Sequence, residues 1–354
     1  MLKPQKKIMP GAGVRHYLLE AWKRRRAYIG GNKLEAFRLA TREDLGIPVA
    51  VDVYGAKVTG AGRQERLEGG AAVLQLYEER LPAGMIEGLR SVLSADYGLS
   101  GFYEKKRFRK LAALSGGAPV SSEMAGNADE KPVEVVVNEY GHKFIVNLNN
   151  HLDCGLFLDH RETRRRVERM VRDSITGPAA RAPMFLNLFS YSGSFSVYAA
   201  AGGAAMTHSV DLSKSYCEWA RRNLSLNGFP EDKHWIYRMD VFEFYKYAAR
   251  KKLQFDLIVI DPPTFSRNKD SSFSVQKDQM KLLTGAANLL LPNGQIIFSN
   301  NCLDFRLDRD LNELFSIKDI QNETIPLDFW VDTINPQWWT EVNQIHNCFL
   351  LTKK

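Results

Sequence analysis

The sequence has few cysteines, and no two of them stand at the spacing of a metal or redox motif. The cysteines of this 354-residue chain are Cys154, Cys217, Cys302 and Cys348. Zinc sites draw their ligands from close pairs such as C-x-x-C, and disulfide frameworks are typical of short, cysteine-rich chains. We therefore expect neither a metal site nor a disulfide framework.

The chain also lacks a long apolar run and an apolar N-terminal segment. Its first residues, MLKPQKKIMPG, do not form the hydrophobic core of a signal peptide. No apolar stretch is long enough to cross a bilayer. We therefore expect a cytoplasmic protein with no membrane partner.

Acidic residues are fewer than basic ones, 41 against 48, so the formal net charge is +7. Such an excess attracts polyanions, of which nucleic acid is the commonest. A solvated surface that happens to be basic is the other interpretation. The hydrophobic content of 44% is enough for a large core, and the length favours two domains.

The N-terminal part divides into a predicted helical extension, residues 1–34, and a predicted small α+β domain, residues 35–150. Apolar residues at helical spacing predict a helix over 14–28. Its basic cluster Lys23–Arg26 is interpreted as a solvated helix end or a phosphate contact. The domain that follows contains strand-like runs and a helix predicted over 82–96.

One segment of the small domain, GFYEKKRFRK, alternates aromatic and basic residues. This pattern suits RNA, because bases stack on rings while cations meet phosphates. A half-exposed strand with one charged face is the alternative. The candidate RNA-binding residues are Lys105, Lys106, Arg107, Arg109 and Lys110.

Residues 151–354 alternate between strand-like and helix-like segments, which predicts a doubly wound, Rossmann-like parallel sheet of the α/β class. In such a sheet, ligands bind beyond the carboxyl ends of the strands. The residues at those strand ends are therefore the candidates for binding and catalysis. The predicted strands lie near residues 185–190, 208–212, 235–240, 255–263 and 295–301.

The ends of the first three predicted strands carry a glycine turn and two aspartates. Gly193 permits a tight turn and close backbone approach. Asp211 follows about 20 positions later, the spacing at which an acid typically bonds ribose hydroxyls. Asp240 ends the third strand, where a carboxylate could accept from an adenine amino group. Each of these residues alone is often a turn or cap residue, but the three in order predict a nucleoside-containing ligand.

The fourth strand ends in Asp261-Pro262-Pro263-Thr264. Two prolines fix φ twice and remove two N–H donors. The result is a rigid shelf of carbonyls that can hold a planar base or an amino group against a methyl donor, and we interpret it as a pre-organised site element. A nicotinamide-dependent oxidoreductase is the competing use of such a sheet, but the full G-x-G-x-x-G motif is absent.

The region from about 148 to 350 resembles the bacterial large-subunit (23S) ribosomal RNA methyltransferases of the guanine-N7 type. In many bacteria that enzyme is the C-terminal half of a fused, bifunctional protein, whose second methyltransferase domain this sequence lacks. The resemblance implies a class I methyltransferase fold, S-adenosyl-L-methionine as donor and ribosomal RNA as partner. The matching stretches are LDCGLFLDHRETRR (152–165), FLNLFSYSGSFSV (185–197), VDLSKSYCEWARRNLSLNG (210–228), FDLIVIDPPTFSRNK (255–269), IIFSNN (296–301) and IHNCFLLT (345–352).

The resemblance also implies roles for single residues. Phe157, Asp159 and Arg161 would lie over the methionine part of the cofactor. The residues implied to hold the rest of the cofactor are Phe189, Ser190, Ser192, Gly193, Asp211, Leu212, Asp240, Val241 and Asp261. The candidate catalytic residues are Asp261, Pro262, Pro263, Thr264 and Asn300.

Related cytosine-C5 RNA methyltransferases share much of this pattern. They need a cysteine nucleophile, because cytosine C5 is inert until a thiolate adds to the ring. Their cysteine stands where this sequence has Asn300, and Cys302 is two places further on. This difference favours guanine N7, which has a free lone pair. A cytosine-C5 enzyme and a non-catalytic RNA-binding ribosome-assembly factor are the open alternatives, and the oligomeric state is not indicated.

Overall fold

The structure is a computed structural model that describes residues 12–60, 65–107, 131–175, 181–267, 272–302, 304–330 and 345–354. Its contacts divide the chain into two compact units. The first unit comprises Met1–Leu158 and Pro326–Trp339, and the second comprises Asp159–Ile325 and Thr340–Lys354. The chain thus returns to the first unit late in the sequence, whereas the predicted domains, residues 1–34, 35–150 and 151–354, are each continuous.

The first unit is a mixed α/β structure. Its helices are α1 (Ala12–Gly31), α2 (Arg42–Leu45) and α3 (Met85–Tyr97). Its strands are β1 (Ala36–Ala40), β2 (Val49–Tyr54), β3 (Lys57–Thr59), β4 (Arg66–Glu68), β5 (Ala71–Leu76), β6 (Gly101–Lys106), β7 (Glu134–Glu139) and β8 (His142–Asn147).

Four strands of this unit form one sheet in the order β1-β2-β5-β6. The first three are antiparallel neighbours, and β6 runs parallel to β5. Strands β2 and β5 are buried along their whole length, as expected for central strands. Helix α1 adds Leu18, Ala21 and Trp22 to the same apolar core. The predicted N-terminal extension is therefore part of the first unit's core.

A buried network of charges joins α1 to α2. Thr41 caps α2: its hydroxyl accepts from the Asp44 backbone N–H (3.1 Å), and the Asp44 carboxylate accepts from the Thr41 N–H (2.7 Å). Arg25, which is 1% exposed, donates to the same carboxylate at 2.5 Å. Its guanidinium also donates to the carbonyl oxygen of Asp328 at 2.8 Å, which ties the late segment to the first unit.

The second unit contains the predicted alternation of strands and helices. Its helices are α4 (Arg161–Ser174), α5 (Ser194–Ala201), α6 (Lys214–Leu226), α7 (Val241–Arg250), α8 (Val275–Ala287), α9 (Leu311–Leu314) and α10 (Gln321–Thr324). Its strands are β9 (Met184–Leu188), β10 (Met206–Asp211), β11 (His234–Arg238), β12 (Phe255–Ile260), β13 (Phe265–Arg267), β14 (Ser272–Ser274), β15 (Leu290–Asn300), β16 (Phe315–Asp319) and β17 (Asn347–Lys353).

Within the described residues, the large sheet of this unit has seven strands in the order β11-β10-β9-β12-β15-β17-β16. Strands β9 to β12 and β15 pair in parallel, whereas β17 is antiparallel to both of its neighbours. The strand order reverses between β9 and β12, so the carboxyl ends of these two strands flank the usual ligand crevice.

The sheet is buried on both faces, because successive side chains of a strand point to opposite sides. In β12, Ile258 and Ile260 belong to one apolar cluster, while Leu257 and Val259 belong to another. The continuous apolar run that predicted a doubly covered strand therefore fills two cores. The predicted α/β class with a smaller α+β unit is confirmed.

None of the helices in the described ranges combines the length and the apolar character needed to cross a membrane.

His208 on β10 predicts a loss of stability in mild acid. Burial lowers the pKa of His208 from 6.5 to about 4. The unfolded chain therefore binds a proton between these two pH values that the folded chain does not, so stability falls as the pH falls through this window, by about 3 kcal/mol in all. We expect the His208→Asn variant to show a shallower decline between pH 6.5 and 4 in urea unfolding followed by circular dichroism.

The exposed His16 offers the control for this experiment. The His16→Asn variant should keep the pH dependence of the unchanged protein, because the His16 side chain is exposed and its replacement leaves buried His208 in place. Equal pH dependence in His208→Asn and the unchanged protein would contradict the assignment of this loss to His208.

Candidate functional site

The loop after β9 has an unusual backbone. Phe189 and Tyr191 have φ values of 58° and 48°, in the left-handed region that side chains other than glycine rarely adopt. Each such residue costs on the order of 1–3 kcal/mol and persists only where the surroundings impose it. Here the Gly193 N–H donates to the Ser190 carbonyl at 2.8 Å, and the Tyr191 N–H donates to Asp211 at 2.9 Å. Strain of this kind is typical of loops that hold a ligand.

Two further residues of this loop are constrained by their surroundings, Gly193 by close packing against Ala220 and Ser190 by burial. Gly193 precedes α5 with φ 75°, and a Cβ atom there would lie 2.8 Å from the Cβ of Ala220. Ser190 is 4% exposed, and its Oγ has no hydrogen-bond partner within the described chain. Since buried polar atoms are normally paired, the Ser190 hydroxyl is suited to a bound molecule.

Asp211 ends β10 and organises the loop beside it. One carboxylate oxygen accepts from the Tyr191 N–H and the other from the Ser213 N–H, both at 2.9 Å. Burial raises the pKa of Asp211, against the N–H donors of Ser213, Tyr191 and Leu212, which lower it. The side chain of Leu212 is 54% exposed at the same strand end. An acceptor and an apolar side chain therefore lie together, as a ribose and its base would require.

Asp240 is the N-cap of helix α7, the structural role that the sequence analysis gave as the alternative to adenine binding. It caps α7, accepting from the backbone N–H groups of Phe242 (2.8 Å) and Glu243 (3.3 Å) through a single oxygen, Oδ1. Val241 is buried at the first position of that helix. The cap places Asp240 at the carboxyl edge of the sheet, beside the end of β11.

Asp261 follows β12 and contacts two other segments. The pairing of Ile260 with Phe298 brings the next residues of β12 and β15 together. The Ser299 hydroxyl therefore donates to Asp261 Oδ1 at 2.7 Å. The other oxygen lies 3.5 Å from Nε2 of His160. The orientation of the carboxylate is thus set from both sides.

The prolines after Asp261 differ in exposure, since Pro262 is buried and Pro263 is exposed. The carbonyl of Thr264 accepts from the Val275 N–H at 3.1 Å, which joins the shelf to the start of α8. The four-residue shelf is therefore anchored at Asp261 and at Thr264, and Pro263 between them lies at the surface.

A buried pair of histidines next to Asp261 was missed by the sequence analysis. His160 and His346 are 2% and 1% exposed, and their rings stack with centroids 4.6 Å apart. Oδ2 of Asp159 lies 3.5 Å from Nδ1 of His346 and 4.0 Å from Nε2 of His160. On its other side, His346 Nε2 is 3.0 Å from the Thr324 hydroxyl. Both histidines lie inside stretches that carry the family resemblance, which is the signal that could have pointed to them.

Asp159, His160 and His346 are close enough to be considered as metal ligands, but their geometry favours hydrogen bonding. The two rings are stacked and inclined by only 15°, so their lone pairs lie in two nearly parallel planes, an arrangement that does not suit two ligands of one tetrahedral ion. Burial lowers the pKa of His160, against Asp261 and Asp159, which raise it. The imidazole is therefore neutral at pH 7 and lies between two carboxylates.

The remaining residues implied for the methionine part of the cofactor are close in sequence to the point where the first unit ends and the second begins. Phe157 is half-buried and belongs to the first unit, whereas Asp159 begins the second. Arg161 is fully buried at the start of α4.

At the end of β15, the side-chain amides of Asn300 and Asn347 bind the main chain of Cys302. Asn300 stands at the position where cytosine-C5 methyltransferases have their cysteine nucleophile. Asn300 Oδ1 accepts from the backbone N–H of Cys302 at 3.1 Å. The Asn347 amide donates to the same oxygen at 3.1 Å and to the Cys302 carbonyl at 2.8 Å. Cys302 itself is half-buried and packs against an apolar cluster of the sheet.

The structure corrects part of the predicted RNA-binding strand. Lys105 is 1% exposed, and its ammonium donates to the His151 carbonyl. Arg107 is ion-paired with Asp153. These two cations are engaged within the first unit, because a later segment supplies partners that the local pattern does not show. Lys106 is exposed, and Arg109 and Lys110 lie outside the described residues.

The part of the chain that contains these strand ends matches a protein family in sequence. Residues 119–346, more than half of the chain, match the family model described as S-adenosylmethionine-dependent methyltransferase. The chain belongs to this family. Its members transfer a methyl group from S-adenosylmethionine, so this chain is a methyltransferase that uses that cofactor, and the predicted enzyme class and cofactor are confirmed.

Relatives extend the match over nearly the whole chain. A protein of Neisseria meningitidis serogroup B, named ribosomal RNA large subunit methyltransferase K, is 39% identical over 95% of this chain and 88% of its own length. One of Vibrio campbellii, named ribosomal RNA large subunit methyltransferase K/L, is 36% identical over 90% of this chain. The methyltransferase spans only 41% of that longer protein.

A solved structure supports the fold. A methyltransferase crystallised as a complex with SAH is 26% identical, covers 98% of this chain and 83% of its own, and superimposes with a TM-score of 0.73. The likeness therefore includes both the small first unit and the sheet of the second.

Proposed function

We propose that this methyltransferase transfers the methyl group of S-adenosylmethionine to N7 of a guanine in large-subunit (23S) ribosomal RNA. The names of the Neisseria and Vibrio relatives specify that RNA. The Neisseria protein supports the proposal most directly, because the similarity extends over 88% of its length. A ribosomal RNA substrate implies that the enzyme works in the cytoplasm.

The observation that carries the choice of atom is Asn300 at the end of β15. A C5 mechanism needs a thiolate that adds to the base. Asn300 offers an amide instead, and Cys302 packs against an apolar cluster with its main chain tied to Asn300 and Asn347. Guanine N7 needs neither a thiolate nor a base, since its lone pair is already free. Positioning donor and acceptor in line can supply most of the rate.

The strand ends support this choice of cofactor site. The strained loop that contains Ser190, Ser192 and Gly193 would cradle the cofactor with its main chain and the Ser190 hydroxyl, with Phe189 alongside. Asp211 would accept hydrogen bonds from the ribose hydroxyls, and the side chain of Leu212 would pack on the adenine. The other proposed cofactor contacts are Phe157, Asp159, Arg161, Asp240, Val241 and Asp261.

When bound, S-adenosylmethionine supplies an electrophilic methyl group on a positively charged sulfur. Asp261, oriented by Ser299 and faced by neutral His160, would keep a negative charge near that sulfur. Pro262, Pro263 and Thr264 would form a flat support for the base. Methylation at N7 releases no proton from the ring, so no residue has to act as a general base.

RNA contact by the basic strand is proposed for Lys106, Arg109 and Lys110. The engaged cations Lys105 and Arg107 would instead keep the strand in place.

Deleting the gene tests the proposal. Large-subunit RNA from a deletion strain should lack one N7-methylguanosine that nucleotide-resolution mapping finds in the parent, because no other enzyme would supply it. Purified protein should restore that methyl group in vitro. An unchanged N7-methylguanosine pattern would refute the proposal.

The cytosine-C5 alternative has its own diagnostic. RNA that contains 5-fluorocytosine forms a covalent adduct only with an enzyme that attacks through a thiol. We expect no adduct, and the Cys302→Ser variant should retain activity. A trapped complex that disappears in Cys302→Ser would favour the C5 mechanism instead.

A further inference from the structure

The amide of Asn300 has one possible orientation. A backbone N–H can only donate, so the atom that faces the Cys302 N–H at 3.1 Å must be the oxygen. The Asn347 amide group, which also reaches the Cys302 carbonyl and so must present its nitrogen, faces the same oxygen. The Oδ1 atom of Asn300 therefore accepts twice, and both of its lone pairs are in use.

The other half of this amide is unpaired. Asn300 is 0% exposed, and its Nδ2 has no acceptor within the described chain. A buried donor without an acceptor is costly, and nearly all such groups in folded proteins find a partner. The position is also informative, because Asn300 is the last residue of β15 and therefore lies at the carboxyl end of that strand, the edge at which ligands of such a sheet bind. The next residue along the chain, Asn301, is exposed.

We infer that Asn300 determines base specificity: its Nδ2 donates a hydrogen bond to the oxygen at position 6 of the target guanine. The inference rests on the proposed function, since it concerns the base that the same site accepts. Guanine presents N7 and O6 side by side as two acceptors, whereas adenine presents N7 beside an amino donor. A donor to O6 leaves the N7 lone pair free for the methyl group.

The paired oxygen of Asn300 implies that the site rejects adenine. An asparagine with a free oxygen can accept from the adenine amino group, as asparagine does in DNA recognition. In this chain both lone pairs of Oδ1 are occupied by Cys302 and Asn347. The amide therefore offers only a donor, and an adenine amino group would meet Nδ2 as donor against donor.

The test changes the base and the residue together. Large-subunit RNA is prepared with the mapped target guanosine kept, or replaced by inosine, which retains O6, or by 2-aminopurine, which lacks it. Rates of N7 methylation are divided by the reactivity of the same N7 towards dimethyl sulfate, which corrects for intrinsic nucleophilicity. We expect the unchanged enzyme to treat inosine like guanosine within about threefold and to methylate 2-aminopurine at least about tenfold more slowly.

The Asn300→Ala variant removes the donor, and Asn300→Asp keeps the acceptor that ties Cys302 and Asn347. Both should lose most of the discrimination between guanosine and 2-aminopurine while binding S-adenosylmethionine normally in calorimetry. The exposed Asn322 supplies the control, and Asn322→Ala should keep the full discrimination.

Each outcome is decisive. Equal rates on guanosine and 2-aminopurine in the unchanged enzyme would overturn the inference, even if the variants fail to fold. Full discrimination in a folded Asn300→Ala variant would overturn it as well, and would assign Asn300 a purely structural role. Failure of the unchanged enzyme to methylate the guanosine RNA would instead refute the proposed function, and the inference with it.

Discussion

Replacing Asp211 by asparagine should weaken the binding of S-adenosylmethionine about 100-fold, nearly as much as replacing it by alanine. Both carboxylate oxygens accept a backbone N–H, one from Tyr191 and one from Ser213. Asparagine would turn an amide N–H₂ group towards one of these donors, so it cannot replace the carboxylate. A hydrogen bond to a charged group contributes about 1.5–3 kcal/mol, so the loss of one bond to the ribose, near the upper end of this range, accounts for the expected change.

The backbone adds to this effect. Tyr191 is kept in its left-handed conformation in part by its hydrogen bond to Asp211. Without that bond, the loop can relax out of the shape proposed to cradle the cofactor, at a cost paid again on binding. A tenfold or larger loss in Asp211→Asn therefore follows even if the ribose contacts are weak.

Isothermal titration calorimetry with S-adenosylmethionine measures the change directly. The exposed Asp232 lies just before β11, at the opposite end of the sheet, and Asp232→Asn should bind as the unchanged protein does. Circular dichroism at 20 °C checks that the variants remain folded. If Asp211→Asn binds within threefold of the unchanged protein, Asp211 does not hold the cofactor.

The candidate site could be predicted where chemistry coincides with the ends of parallel strands. The apolar run of β12 indicated a buried strand, and a parallel sheet brings the carboxyl ends of its strands to one edge. Asp211, Asp240 and Asp261 were found in this way, without knowledge of any contact. Hydrophobic periodicity, which is a local signal, was sufficient to place these three aspartates at strand ends.

The contacts that tune these residues could not be predicted, because they depend on pairings distant in the sequence. His346 reaches Asp159 only because β17 lies antiparallel beside β15, and this edge of the sheet leaves no periodic signal. The same pairing places Asn347 on Asn300. The alternation of aromatic and basic residues around Lys105 likewise indicated a solvated or RNA-facing strand. Its burial could not be predicted, because its partner His151 follows two further strands in the sequence.

The basic cluster of α1 shows the same limit and carries the largest expected effect on stability. Helical spacing places Arg25 on the same face as Leu18 and Ala21, but the charge of a guanidinium favours a solvated position, so the sequence pattern alone did not predict its burial. In the structure Arg25 is 1% exposed, whereas Lys23 is exposed. Burial lowers the pKa of Arg25, against Asp44, which raises it. The guanidinium is thus acceptable inside the first unit only together with its carboxylate partner.

Replacing Asp44 by alanine should therefore cost about 3–5 kcal/mol, because it leaves the Arg25 charge buried and uncompensated. It also removes the α2 cap, where the carboxylate accepts from the Thr41 N–H and hydroxyl at 2.7 Å and 3.0 Å. Calorimetry should show the melting temperature of the first unit fall by roughly 10 °C. The matched control is Asp96→Ala on α3, which breaks the ion pair with Arg15 of α1, whose side chain is 67% exposed, and should cost less than about 1 kcal/mol.

A second substitution separates the buried charge from the lost cap. Arg25→Met removes the charge and keeps an apolar stem of similar length, so the double variant Arg25→Met with Asp44→Ala should be more stable than Asp44→Ala alone. The recovery should be incomplete, because the Thr41 cap stays broken and the bond from Arg25 to the Asp328 carbonyl is lost as well. A double variant no more stable than Asp44→Ala would mean that the cap, rather than the uncompensated guanidinium, accounts for the instability.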